Sequence, residues 1–227
     1  MESRLGRALW HELLEELEKR IVDGTLEPGQ RLVEQEIAVE FGVSRGPVRE
    51  AFTELARRGL LEINARRGAG VRVFTERDIC EVYELRECLE VCALSHAAAI
   101  DEAALARVKE KMLAAADARR SQDISSAVAA DMDFHRELCR LSTNARLVDA
   151  WETQAAQVSV VVASGHQRPG ARVLEVLAEH DKIFDALAAG DVDGACHWLR
   201  HHLRSARDLL LPSAGSANGA PPAADAG

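Results

Sequence analysis

Leu9, Leu13, Leu14, Leu17 and Ile21 recur at the three- and four-residue intervals of a single helix face, which predicts an amphipathic helix over residues 6–22. The stretch DGTLEPGQRL (23–32), with Gly24, Pro28 and Gly29, then reads as a turn. A short second helix over 33–41 turns Ile37, Ala38 and Phe41 inward. Gly42 ends it, since glycine tolerates the left-handed conformation of a helix cap. Ser44 suits the N-cap of a third helix, and Pro47 falls in its first turn, where a missing N–H costs nothing. Val48, Phe52 and Leu55 form the apolar stripe of that helix, and Gly59 stops it. LLEI (60–63) and VRVF (71–74) alternate with the period of a strand, with ARRGAG (65–70) as the turn between them. Helix, helix, turn, helix and hairpin in that order describe a winged helix-turn-helix.

From Glu76 onward the periodicity is helical, with six segments at about 77–99, 102–120, 124–141, 145–164, 172–189 and 192–210. Asp101, Asn144 and Asp191 fit as N-caps, and Gly165 and Gly190 as stops. The last residues, PSAGSANGAPPAADAG, have nothing to bury and are expected to be disordered. The expected fold is mainly α. A winged helix-turn-helix spans 1–75, an antiparallel all-helical bundle of about six helices spans 76–211, and a tail spans 212–227.

Composition agrees with helices: apolar residues make up 47% of the chain but aromatics only 4%. No run approaches the ~18 apolar residues that cross a bilayer, and the N-terminus lacks the apolar block of a signal peptide. A cytoplasmic protein without a membrane partner is expected. The five cysteines (80, 88, 92, 139, 196) show no CxxC pairing and are read as small core hydrophobes, Cys88 and Cys92 included, although those two share a helix face.

The net charge is −9, yet it is unevenly spread. Residues 44–73 hold seven arginines against three glutamates, whereas residues 76–227 hold 16 Lys+Arg against 24 Asp+Glu. A polyanion responds to the local field over roughly a Debye length, about 8–10 Å, and not to the whole-chain sum. On the third helix Arg45, Arg49, Thr53 and Arg57 recur every four residues, opposite Val48, Phe52 and Leu55. A helix of this kind enters the major groove, where arginine donates two hydrogen bonds to guanine O6 and N7. Arg45 and Arg49 are the candidate base readers. Arg57 and Arg58 fit phosphate, and Arg66 and Arg67 sit at the tip of a wing that can reach the adjacent minor groove.

A second set of polar residues faces inward. Asp131 and His135 lie one helical turn apart on a face shared with Val128 and Leu138. His180 lines up with Val173, Leu177, Phe184 and Leu187, and His202 with Ala195, Leu199, Ala206 and Leu209. Three unpaired imidazoles and a carboxylate in a core are costly, and one divalent cation satisfies all four. His197 and His201 form a rival pair, but their stripe runs on to Arg204 and Asp208 and reads as solvent-facing. Arg86 also lies on an inward stripe and needs an anion, either Glu90 four residues on or a bound carboxylate held bidentately.

The segment IVDGTLEPGQRLVEQEIAVEFGVSRGPVREAFTELARRGLLEINARRGAGVRV resembles the N-terminal domain of GntR-family transcriptional regulators nearly end to end. The resemblance implies homodimers on palindromic operators, with Arg45 and Arg49 of the SR.PVR segment at the DNA and Gly68 as the wing glycine; Ser44, which opens that segment, is a further DNA-binding candidate. YELRECLE, DMDFHREL, EHDKIFDALAAGD and the closing HHL resemble the effector-binding FCD domain of the FadR subfamily, in its shorter VanR-like branch. That implies metal ligation by Asp131, His135, His180 and His202, with zinc as the first expectation and nickel or manganese as alternatives. It also implies a small organic-acid or sugar-acid effector on the metal and Arg86, and repression relieved by ligand. The rival reading is an HD-type metal-dependent phosphohydrolase with a regulatory winged helix, suggested by the His180-Asp181 dipeptide. It suffers because Asp181 falls off the inward stripe, and because no nucleophile set or phosphate loop is present in the sequence.

Overall fold

The computed structural model describes residues 2–64, 68–97, 100–120, 124–166 and 179–211. In chain order the elements are α1 (Glu2–Val22), β1 (Arg31–Leu32), α2 (Glu34–Phe41), α3 (Arg45–Arg57), β2 (Leu61–Asn64), β3 (Gly68–Val71), α4 (Glu76–Ser95), α5 (Glu102–Arg120), α6 (Ile124–Arg140), α7 (Ala145–His166), α8 (His180–Ala188) and α9 (Val192–Leu210).

The winged helix-turn-helix forms around α1 and α3. Leu13, Leu14 and Leu17 of α1 and Val48, Ala51, Phe52 and Leu55 of α3 lie together in one core, closed by Leu60, Leu61, Ala69 and Val71 of the wing. Each leucine, valine or phenylalanine among them, fully buried, stabilises the fold by roughly 1.5–3 kcal/mol relative to exposure. Leu9, expected on the same stripe, is exposed. Gly42 takes the left-handed cap of α2, φ 64°. Ser44 stands at the N-cap of α3, although its side chain makes no cap hydrogen bond.

The wing differs from expectation. Its second strand is 68–71 and not 71–74, and a two-residue strand at Arg31–Leu32 joins it, giving an antiparallel sheet in the order β1-β3-β2. The Gly-Ala-Gly sequence of β3 carries no alternation to recognise. Its register, Leu61 opposite Val71 and Leu32 opposite Ala69, is set by neighbours and not by its own pattern. Arg66 and Arg67 lie outside the described residues, as do the expected start of the fifth bundle helix and the tail 212–227.

Six helices of the bundle are present among the described residues. Thr75 caps α4 through a reciprocal pair of bonds with Asp78. Arg72 of the wing connection pairs with the same carboxylate. α4 ends at Ser95, four residues earlier than expected, and α7 runs through Gly165, which does not stop it. Asp101, Asn144 and Asp191 do accept the cap bonds expected of them. Cys139 and Cys196 are buried, but Cys88 and Cys92 are exposed and so are not core residues.

α7 belongs to two packing units. Trp151, Ala155, Val158 and Val162 pack within the bundle, while Ala156 and Val160 join the core of the winged helix. Between them, Gln157 rests against Gly59 just past the end of α3, where a Cβ would stand 2.7 Å from its Nε2. The glycine is also required by its φ of +73°.

Candidate nucleic-acid interface and metal centre

α3 presents Arg45, Arg49, Thr53 and Arg57 to solvent while burying Val48, Ala51, Phe52 and Leu55, so the face expected to read DNA is intact. A groove runs between this face, the start of α2 and the wing, lined by Arg31, Gln35, Arg45, Arg49, Thr53 and Gly68. Gly68 takes φ +81°. The Thr53 hydroxyl donates back to the Arg49 carbonyl at 2.8 Å. Arg57 is forked onto Glu54 at 2.8 and 2.7 Å. Ser44 is exposed, with its hydroxyl uncommitted to the cap.

The bundle brings Asp131, His135, His180 and His202 together. Each is at least 98% buried, and one ligand atom from each lies within 4.8 Å of all the others. α6 supplies Asp131 and His135 from successive turns, α8 supplies His180 from its first residue, and α9 supplies His202. His180 Nε2 stands 3.2 Å from Asp131 Oδ1, and His202 Nε2 stands 3.2 Å from His135 Nε2. Three imidazoles and a carboxylate with converging donor atoms fit a divalent transition-metal ion, whose bonds to nitrogen and oxygen run at about 2.0–2.2 Å.

Glu90 of α4 organises this cluster from behind. Its Oε2 accepts from His135 Nδ1 at 2.7 Å, and its Oε1 accepts from Arg86 Nε at 2.6 Å and from Trp151 Nε1 at 2.9 Å. A carboxylate on the far nitrogen of a metal-facing histidine fixes the tautomer and raises the basicity of the near one. Burial pushes the Glu90 carboxyl up, but Arg86 and His135 outweigh it and hold it at about 2. Burial likewise opposes the charge on Asp131, and the neighbouring His135, His180 and Arg86 hold it well below the usual carboxylate range. Burial, with His180 and His135 nearby, pushes His202 well below its usual value.

Arg86 is 2% exposed, as its inward stripe required. Glu90 takes its Nε, the partner weighed against a bound carboxylate, while Nη2 stands 3.8 Å from Asp131 Oδ2 and makes no hydrogen bond. One guanidinium edge is therefore structural, and one donor still faces the cluster. Sequence reasoning missed Glu34 and Trp151 as parts of these sites, and it pointed to Glu90 only as a partner of Arg86, not as the support of His135. Only Glu90 left a signal, as an acidic residue one turn from Arg86 on a buried stripe.

His201 is half exposed and paired with Glu179, while His202 is buried, which separates the adjacent histidines. Asp181 is exposed and turned away from the cluster. The HD dipeptide thus contributes only its histidine, and the phosphohydrolase reading loses its second ligand.

Residues 10–71 match the profile of bacterial regulatory proteins, gntR family, and residues 81–205 match that of the FCD domain. The chain is 34% identical over 199 residues to the "Probable D-xylose utilization operon transcriptional repressor" of Paenarthrobacter nicotinovorans, covering 88% of this chain and 85% of that one. It is 34% identical over 137 residues to the gluconate operon transcriptional repressor of Bacillus subtilis (strain 168), covering 60% and 56%. Among solved structures, a GntR transcriptional regulator from Rhodococcus sp. RHA1 superposes with a TM-score of 0.76 at 30% identity, covering 88% of this chain and 96% of that one.

Proposed function

Because the chain belongs to the GntR family of bacterial regulatory proteins and carries an FCD domain behind its winged helix, we propose that it is a cytoplasmic, homodimeric repressor of a palindromic operator, released by a small organic acid or sugar acid. It is a transcriptional regulator and not an enzyme.

The observation that carries the sensing half of this reading is the convergence of Asp131, His135, His180 and His202 in a buried site backed by Glu90. These residues would hold zinc first, or nickel or manganese. Such a metal would supply a Lewis-acidic point for a carboxylate, and Arg86 Nη2, buried and without a hydrogen bond, would donate to the same group. The names of two relatives, one for D-xylose utilization and one for a gluconate operon, favour sugars and sugar acids as the effector class.

DNA reading falls to Arg45 and Arg49, with Ser44, Thr53 and Arg57 on the same face and Gly68 on the wing; Arg66 and Arg67, which precede Gly68 in the sequence, are counted with them. Effector binding would shift the equilibrium between positions of the two reading heads through its different affinity for each. α7 is the physical connection at hand, since it donates to Glu90 through Trp151 and packs against the end of α3 through Gln157.

A thermal-shift screen of small carboxylic acids and sugar acids tests this. It would be run on zinc-loaded protein, on chelated protein and on Arg86→Ala. A hit that needs both metal and Arg86 supports the reading. A hit indifferent to both moves the effector elsewhere, and strong stabilisation by metal with no hit across the panel would make the metal structural.

A further inference from the structure

Glu34, the first residue of α2, holds both of the arginines expected to read bases. Its Oε1 accepts from Arg49 Nε at 3.1 Å, and its Oε2 accepts from Arg49 Nη2 at 2.9 Å and from Arg45 Nη2 at 3.0 Å. All three side chains line the groove between α2, α3 and the wing. Arg45 and Arg49 are solvent-exposed, at 57% and 64%, and Glu34 is half-buried at 28%; ion pairs at the surface of that kind add little to fold stability. The consequence of this contact therefore falls on what the groove binds.

A guanidinium offers two bidentate edges. Glu34 takes the Nε–Nη2 edge of Arg49. The end-on edge, made by the outward hydrogens of Nη1 and Nη2, matches the O6 and N7 acceptors of guanine in the major groove. A long, flexible side chain is thereby held in one arrangement before DNA arrives, which lowers the entropy lost on binding. The same carboxylate cancels one of the two positive charges that would otherwise attract any duplex through its phosphates.

We propose that Glu34 is a positioning residue for operator reading: it braces Arg49 with its end-on edge presented to the groove and trims non-specific attraction. This deepens the operator-binding reading above and rests on it.

The full-length wild-type chain would first select its sites from a random duplex library. Affinities for the selected duplex and for a scrambled duplex would then be measured at several salt concentrations for wild type, Glu34→Gln and Glu34→Asp. Glu34→Gln removes the charge at constant shape. It should bind the scrambled duplex more tightly and lose at least about tenfold in the ratio of selected to scrambled affinity, with its melting temperature unchanged. Glu34→Asp keeps the charge but shortens the reach. It should weaken binding to the selected duplex without strengthening binding to the scrambled one. A folded Glu34→Gln whose ratio is unchanged or higher would overturn the proposal and make Glu34 a competitor of DNA. A wild-type chain that selects no sequence would overturn the operator-binding reading itself and this inference with it.

Discussion

Glu90 Oε2 lies 2.7 Å from His135 Nδ1, so the buried imidazole keeps its hydrogen on Nδ1 and turns Nε2 toward His202 and Asp131. A glutamine at position 90 can present its amide nitrogen there and favour the opposite tautomer. Glu90→Gln should therefore lower metal affinity by roughly 10–100-fold, the usual cost of losing such a support. Competition against a chromogenic chelator measures it, and unchanged affinity would remove Glu90 from the site. Glu90→Ala also leaves Arg86 buried without its partner and should cost about 3–5 kcal/mol in stability.

Metal should stabilise the wild-type fold. At a free concentration of a hundred times Kd the gain is about 2.7 kcal/mol, visible as a raised melting temperature that a chelator reverses. His135→Ala and Asp131→Asn should bind less metal per chain and show little of this shift. Full metal occupancy in both variants would place the metal elsewhere.

Acid should weaken the metal-free protein in two windows. His202 is held well below its usual value of 6.5 in the fold, so the unfolded chain takes up its proton first and stability falls as pH drops below about 6.5. Glu90 titrates at about 2 in the fold against an ordinary 4.5, so its contribution is present above 4.5 and is lost between 4.5 and 2. Urea denaturation of chelated protein from pH 8 to pH 2 covers both windows. Constant stability from pH 7.5 to 5.5 would contradict the first.

Arg49→Ala should cost roughly 1–3 kcal/mol against a library-selected operator, with a smaller loss on a scrambled duplex. Electrophoretic or anisotropy titrations separate the two. Equal losses on both duplexes would assign Arg49 to phosphate and not to a base.

Gly59→Ala tests the junction between the reading head and the bundle. Its φ is +73° and an added Cβ would meet the Gln157 amide at 2.7 Å, so a destabilisation of about 1–3 kcal/mol is expected. Gln157→Ala in the same chain should recover the steric part and leave the backbone part. A Gly59→Ala variant that melts like wild type would remove this contact from the junction.

Local order was legible because it is local. The stripe Val48, Phe52, Leu55 opposite Arg45, Arg49, Thr53 follows from the helical period alone, and so do the caps at Asp101, Asn144 and Asp191. The inward direction of Arg86, Asp131, His135, His180 and His202 is legible for the same reason: each shares a stripe with apolar neighbours on its own helix. The wing was the weak point, since Gly68-Ala69-Gly70 has no alternation and takes its register from β1 and β2.

The sequence by itself therefore determined the helix-turn-helix, the described helices to within a few residues and the inward direction of Arg86, Asp131, His135, His180 and His202. Only the tertiary structure decided which of them meet. Glu34 reaches Arg45 and Arg49 across 11 and 15 residues, and Glu90 reaches His135 across 45 and Trp151 across 61. Hydrophobic periodicity fixes the direction of a side chain about its own axis. The distance between two axes is set by packing, which no single stretch of sequence encodes.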